Sequence, residues 1–437
     1  MALGGGTFTS QNKILPGSYI NVVSALRANT GDPTRGVAAL ALNLPYSPAG
    51  VFEVTNETLT RDALKLFATS PEADTLRPIR DALKNARKIY VYNTNDTSTK
   101  ASNTYATAKY AGEGGNNISV RIAADVDNTN NYVVSTLVGT AVVDEQSVAK
   151  SGKTTALAAN DYVDWKTEVT LAETASTPLA GGVTKKNTGT TSEQNALNAF
   201  ETYTFNVVAV DHSDTTVHNM VCSYVRRRRE EQGVKIQGVV YNTDADEEGI
   251  INVVTAADDS TNPHSLIFWV TGAEAGCALN ASLTNRIYDG EYVPVVNETQ
   301  SELEAYIQDG KFALHRVGDD VRVLMDINTL KTVTEEKGEI FKENQTIRVV
   351  DDIANDIASI FNSKYIGMVQ NNATGRALFK ADIVSHHNDL QDANAIEGFT
   401  SDDVSVSAGS GKGDVIVTDA ITIVGTMTKL YMTVYVS

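Results

Sequence analysis

The sequence is poor in the residues that mark secreted, membrane-spanning or metal-clustered proteins. It has two cysteines in 437 residues, Cys222 and Cys277. No CxxC spacing occurs, and both lie in helix-like patterns among small or apolar neighbours. Two reduced, buried thiols are therefore expected rather than a disulfide framework or thiolate metal site. No run of ~18 apolar residues occurs, which removes a membrane-spanning helix and direct membrane insertion. Met1 to Ser10 are rich in glycine, threonine and serine and carry neither a basic nor an apolar leader segment. The expectation is a chain made and kept in the cytosol, leaving only by lysis.

Positive charge is also scarce. There are 36 Lys and Arg against 54 Asp and Glu, a formal net charge of −18. Residues 1–100 hold 11 basic and 8 acidic side chains, so the acidic excess lies in the rest of the chain. Such a body lacks the basic footprint of a nucleic-acid binder and suits charge-complementary protein partners. Catalytic signatures are missing too: there is no GxSxG elbow, no glycine-rich dinucleotide fingerprint and no HExxH pair. No enzyme activity and no cofactor or metal are expected.

What is present is an α/β pattern. Phe205 to Val210, Lys235 to Tyr241 and Ile250 to Thr255 read as buried strands. Between the first two, Val217, Met220, Val221, Tyr224 and Val225 follow helical spacing, and Gly233 closes the helix. Asn262-Pro263 opens another helix, packed with small residues from Gly272 to Ala281. Strands and helices alternating on short connections predict an α/β core, a mixed, largely parallel sheet with flanking helices. Earlier pieces fit the same core: a strand over Gly36 to Leu42, a helix capped by Thr60 and running to Ala68, a helix over Leu76 to Arg87, and a strand over Lys88 to Tyr92. Later pieces add a helix over Ser301 to Gln308, a hairpin around Gly318-Asp319, and helices over Thr346 to Gln370 and Gly375 to Gln391.

Two regions depart from that pattern. From Asn93 to Thr104 the chain turns polar, and only strand patterns follow: Ile118 to Ala123, Tyr132 to Val138, Ala141 to Glu145 and Val163 to Thr170. An all-β domain inserted over 101–178 is expected. The chain ends are the second departure. Residues 1–16 read as a loose arm before a strand pattern at Tyr19, Ile20, Val22 and Val23. Strands over Asp414 to Val417 and Ala420 to Val424 precede Lys429 to Val436. There Tyr431, Thr433 and Tyr435 alternate with Met432, Val434 and Val436, a strand sequence that must pair with something.

Several motifs resolve into ordinary surface features. Ser151-Gly152-Lys153-Thr154-Thr155 ends like a phosphate-binding loop, but Ser147 stands where the leading glycine belongs and the segment lies between strands. Gly409 to Gly413 is a flexible loop. Arg226 to Arg229 suit a helix C-terminus and face several acidic residues; a partner contact is the alternative. Asp244, Asp246, Glu247 and Glu248 lack the glycine and terminal Glu of a calcium loop and read as an acidic turn. The six histidines, His212, His218, His264, His315, His386 and His387, form no ligand spacing, and the neighbours His386 and His387 are expected to point to different sides of a helix.

Several segments nevertheless resemble one family, the contractile tail-sheath proteins of bacteriophages and phage-tail-like particles, above all the shorter sheaths of Gram-positive defective prophages. They are Leu15-Pro16-Gly17-Ser18-Tyr19-Ile20, Ala108 to Ile118, Leu179-Ala180-Gly181-Gly182, Phe205-Asn206-Val207-Val208 with the Arg-rich helix, Glu248 to Val253, Trp269 to Gly276, Ser282 to Asn285 and Tyr288-Asp289-Gly290.

The resemblance implies a structural subunit that polymerises as stacked six-fold rings around a tail tube and contracts to drive the tube through a bacterial envelope. It implies as partners further copies of the chain in hexameric rings, the tail tube protein, and baseplate and tail-terminator proteins. It also implies assembly in the host cytoplasm and a place in a particle released by lysis. The expected division is an N-terminal arm over 1–20, a discontinuous core over 21–100 with 179–426, the β domain over 101–178 on the outer surface, and a C-terminal arm strand over 427–437. Extended, strand-forming arms would join neighbours through Tyr19, Ile20, Val22, Tyr431, Thr433, Val434 and Tyr435. Lys364, Arg376 and Lys380 are candidate tube contacts, as basic residues on late helices of an acidic chain. The competing readings are another self-assembling tail component, a tube or baseplate protein, and an α/β hydrolase.

Overall fold

A computed structural model describes residues 35–95, 98–185 and 190–436. The chain begins with β1 (Val37–Leu42), β2 (Val51–Val54), α1 (Asn56–Phe67), α2 (Arg77–Leu83) and β3 (Lys88–Asn93). Six strands follow: β4 (Ala106–Ala108), β5 (Ile118–Ala124), β6 (Asn131–Val138), β7 (Ala141–Ala149), β8 (Val163–Trp165) and β9 (Thr174–Pro178). Helices and strands then alternate through α3 (Thr191–Phe200), β10 (Val207–Val210), α4 (Thr215–Glu230), β11 (Gln237–Tyr241), β12 (Ile250–Val253), α5 (Leu266–Gly276), α6 (Gln300–Gln308) and β13 (Lys311–Phe312). A hairpin of β14 (Leu314–Val317) and β15 (Asp320–Val323) precedes two long helices, α7 (Asn344–Lys364) and α8 (Ala373–Asp392). Four short strands complete the described residues: β16 (Ile396–Glu397), β17 (Val404–Ala408), β18 (Val415–Asp419) and β19 (Thr422–Ile423).

The central sheet has the order β13-β12-β11-β10-β1-β3-β2. Every neighbouring pair in it is parallel except β2 with β3. Its interior strand β1, Val-Ala-Ala-Leu-Ala-Leu, is buried at all six positions. Such a strand reads as an unbroken apolar run because both sheet faces are covered. Ala38, Leu40 and Leu42 enter one core with α1, α2 and α5. Val37, Ala39 and Ala41 enter the other with α3 and α4. Gly272 and Gly276, one turn apart on α5, lie against the end of α2. A methyl group at Gly272 would overlap the Ala82 carbonyl, and one at Gly276 the Asn85 carbonyl. The small-residue stripe is thus a close helix crossing.

Boundaries differ from the sequence reading in instructive ways. The first helix is capped by Thr55, whose side chain accepts from the Thr58 amide while Thr58 returns a bond, forming a capping box. Thr60 instead sits inside α1 and bonds back to the Asn56 carbonyl. The second helix stops at Leu83, because Arg87 is drawn to the Gly36 carbonyl beside β1. Asn262-Pro263 opens a tight turn rather than α5 itself; Ile267 and Phe268 bond back only three residues before α5 is established. The strand expected over Val163 to Thr170 ends at Trp165, and Glu168 has a left-handed φ of 61° that no extended strand takes. α7 ends at Lys364, followed by Gly367 at φ 72° and an Ile366 amide bonded back to Phe361.

The β segment forms a sheet ordered β7-β6-β5-β9 and a small pair of β4 with β8. Its core holds Ile118, Val120, Ile122, Val134 and Val138. The last portion builds a separate core from Val349, Phe379, Ile383, Leu390 and Phe399, placing α7 and α8 against β16 to β19. Among the described residues no helix is long and apolar enough to cross a membrane.

Candidate functional site

The most unusual surface is at the C-terminal end of the described chain. Residues 424–436 form no strand. Met427, Leu430, Tyr431, Met432, Val434, Tyr435 and Val436 are all exposed; Tyr431 is 88% and Tyr435 93% accessible. The strand expected over Lys429 to Val436 is therefore absent from the isolated chain, because no described strand pairs with it. Its root is firmly held: Gln345 of α7 donates to the Val424 carbonyl at 2.9 Å and accepts from the Thr426 amide at 3.2 Å. Apolar residues left in water like this form a surface that another chain can cover.

The body carrying that segment is bolted together by buried charge. Arg348 of α7 is fully buried and donates to Glu274 of α5, to Asp326 at 2.8 Å and to the Ala281 carbonyl at 2.8 Å. Asn344 donates to Glu274 at 3.1 Å and to Asp326 at 2.8 Å. Burial, reinforced by the Asp326 charge, pushes Glu274 well above the usual carboxylate range. Burial opposes ionisation of Asp326 as well, but Arg348 overcomes it and holds Asp326 at about 2. The two carboxylates thus shift in opposite directions around the one Arg348 guanidinium. A second buried pair, Arg229 to Asp351 at 2.5 and 2.8 Å, ties α4 to α7. Burial works against the Arg229 charge, and Asp351 more than restores it. Motif reading missed these residues. The available signals were an acid inside the apolar run Trp269 to Gly276 and an arginine between Ile347 and Val349.

The residues singled out from sequence fall in different places. Tyr19, Ile20 and Val22 lie outside the described residues. Lys364 is exposed and pairs with Asp382 at 3.2 Å. Arg376 donates to Asn371 at 2.8 Å and lines an open groove with Phe361, Tyr365 and Phe379. Lys380 is half-buried on α8.

Arg226 pairs with Glu247, Arg227 with Glu201, and Arg228 donates to Gln232, so the arginine run is spent on internal contacts. The acidic turn is likewise occupied: Lys331 meets Asp244 at 2.5 Å, Asp246 accepts from Thr332, and Lys337 meets Glu248 at 2.9 Å. Lys153 pairs with Glu168 beside a short turn rather than heading a helix. Both cysteines are buried and free, and burial raises Cys222 to about 12 and Cys277 to about 11. One expectation fails outright. His386 and His387 do not diverge; their Nδ1 atoms lie 3.3 Å apart. The rings tilt toward each other because Asp419 of β18 draws His387 while Asp356 of α7 draws His386.

Comparison with known proteins places this architecture. The chain matches the phage tail sheath beta-sandwich domain over residues 94–187, the phage tail sheath central domain over 186–329 and the phage tail sheath C-terminal domain over 336–437. It belongs to the phage tail-sheath family, whose members are structural proteins of contractile systems and not enzymes. It is similar to the phage-like element PBSX protein XkdK of Bacillus subtilis, 30% identical with both chains fully covered. It also resembles the crystal structure of a sheath tail protein from Desulfitobacterium hafniense, with TM-score 0.79 and 32% identity over 95% of this chain and 99% of that one. At 13% identity, the contracted helical sheath of the anti-feeding prophage shares the fold, with TM-score 0.55 over 96% of this chain and 98% of that one.

Proposed function

We propose that this chain is a sheath subunit that polymerises as stacked six-fold rings around a tail tube and contracts to drive that tube through a bacterial envelope. The observation that carries the reading is the run Met427 to Val436: a strongly strand-forming sequence, rooted on α7 and unpaired in the isolated chain. Strand addition to a neighbour's sheet would satisfy its backbone and cover its apolar side chains. Repeated head-to-tail, such a contact gives an open helical assembly. Tyr431, Thr433, Val434 and Tyr435 would carry it, together with Tyr19 and Ile20 of the N-terminal arm and Val22 just after it. Burial of new contact area between copies supplies the free energy of contraction.

In this reading residues 1–20 and 427–437 are the arms, 21–100 with 179–426 the core, and 101–178 a β domain facing outward. The partners are further copies, the tube protein, and baseplate and terminator proteins at the two ends. Assembly takes place in the host cytoplasm before the particle is released by lysis. Tube contact through Lys364, Arg376 and Lys380 fits least well for Lys364, whose charge is shared with Asp382. Charge reversal at all three should abolish co-assembly with the tube, and unchanged co-assembly removes that part of the reading. The reading as a whole is tested by deleting residues 428–437. Sedimentation should then show a folded monomer; sheath-length polymers from the truncated chain would overturn it.

A further inference from the structure

The rings of His386 and His387 form the middle of a chain of side chains with a carboxylate at each end. His387 Nε2 lies 2.7 Å from Asp419 Oδ2, the two Nδ1 atoms lie 3.3 Å apart, and His386 Nε2 lies 3.4 Å from Asp356 Oδ2. His386 Nε2 and Asp356 Oδ2 thus stand at ion-pair distance, while His387 braces the other ring nitrogen of His386 from behind.

At the His386 end two carboxylates join the imidazole. Asp352 and Asp356 are four residues apart on α7 and so share a face. One ligand atom from each, with one from His386, all lie within 4.8 Å of one another. Two donors ~2.1 Å from a tetrahedrally bound ion stand about 3.4 Å apart, close to the separation of His386 from Asp356. Asp352 is buried and also feels the Arg35 charge, while Asp356 is half-buried. The two carboxylates, though not His386, line an open cleft of about 800 Å³ that they share with Arg35, Lys235 and Asn355, so solvent reaches the α7 side of the cluster. The remaining feature is the hydrogen bond behind the ligand. A metal-bound histidine usually has its other ring nitrogen fixed by an outer partner, and here His387 and Asp419 supply that support.

We propose that Asp352, Asp356 and His386 form a binding site for one divalent transition cation of the zinc or cobalt type, with water completing its shell. The bound ion clamps α7, whose Gln345 holds the root of the C-terminal segment, to α8. The imidazole and carboxylate donors suit zinc and its neighbours better than calcium or magnesium.

The test uses the full chain, stripped with a chelator and returned to neutral buffer. Titration with Zn²⁺ should show one site per chain with a rise in thermal stability. Asp356→Asn and His386→Gln should each weaken binding at least tenfold, with folding checked by circular dichroism. Cys222→Ser with Cys277→Ser should leave it unchanged. Co²⁺, as a second probe of the native chain, should give a visible spectrum of nitrogen and oxygen ligands without thiolate charge-transfer bands. Absence of a Zn²⁺ site in the native chain, binding undiminished in the folded variants, or a thiolate Co²⁺ spectrum would each overturn the proposal.

Discussion

Arg348 and Asp326 meet at 2.8 Å with both side chains sealed from water. The contact joins α7, the first long helix of the C-terminal portion, to the loop after β15 in the sheet-bearing portion. Burying charge costs free energy, so this pair contributes little net stability unless its geometry is complete. It does make the joint specific, since only one docking of α7 satisfies Arg348, Asp326, Glu274 and Asn344 together.

Arg348→Met removes the cation and leaves Asp326 stranded in the interior. Losing one member of a buried pair costs about 3–5 kcal/mol. Urea denaturation should show a loss of that size. A change under 1 kcal/mol would mean that water reaches the joint.

Gly272→Ala tests the α2–α5 crossing. The added methyl group meets the Ala82 backbone, which cannot rotate away. Overpacking of this kind costs about 1–3 kcal/mol, although alanine is the better helix former. A stabilised variant in thermal melts would contradict the close crossing.

The first helix offers a paired comparison. Thr55→Ala should cost about 1 kcal/mol, the usual value of an N-cap. Thr60→Ala, on the exposed face of the same helix, should stay within roughly 0.5 kcal/mol. Equal effects in chemical denaturation would contradict the observed cap.

Acid should reveal His218, whose buried ring is pushed down to about 4 by burial first and then by His264 and His212. Above its ordinary 6.5 neither folded nor unfolded chain protonates it. Between 6.5 and about 4 only the unfolded chain does, so stability falls as pH falls, by roughly 3 kcal/mol in all. Asp81, raised by burial to about 6, acts oppositely over part of the same range, since the folded chain binds its proton first. Comparing native protein with His218→Leu at each pH isolates the histidine. The variant should gain on the native chain as pH drops from 7 to 4; a constant difference would show that His218 is accessible to protons.

Much of the architecture was legible because buried strands and amphipathic helices have distinct periods. β1, β10 and β12 read as apolar runs because both faces are covered. The closing glycine of α4, Gly233, was visible for its left-handed backbone, observed at φ 70°. Short strands such as β4 and β9 were not legible, because Thr174 to Pro178 carries no apolar face and its pairing is decided by β5. The buried charges were equally hidden: Glu274, Asp326 and Arg348 lie far apart in sequence, and only the packed helices bring them together. The histidine pair failed for another reason. Adjacent helix positions diverge at Cβ, but Asp356 and Asp419 on other elements turn the rings together.

The central claim is that the strand-forming segment Met427 to Val436, exposed in the isolated chain, joins copies of this chain into a sheath. Negative-stain microscopy of the purified full-length protein, beside the chain lacking residues 428–437, tests it most directly. The account predicts striated tubes or stacked rings from the full chain and dispersed particles from the truncated one. Dispersed monomers from both, or identical tubes from both, would contradict it.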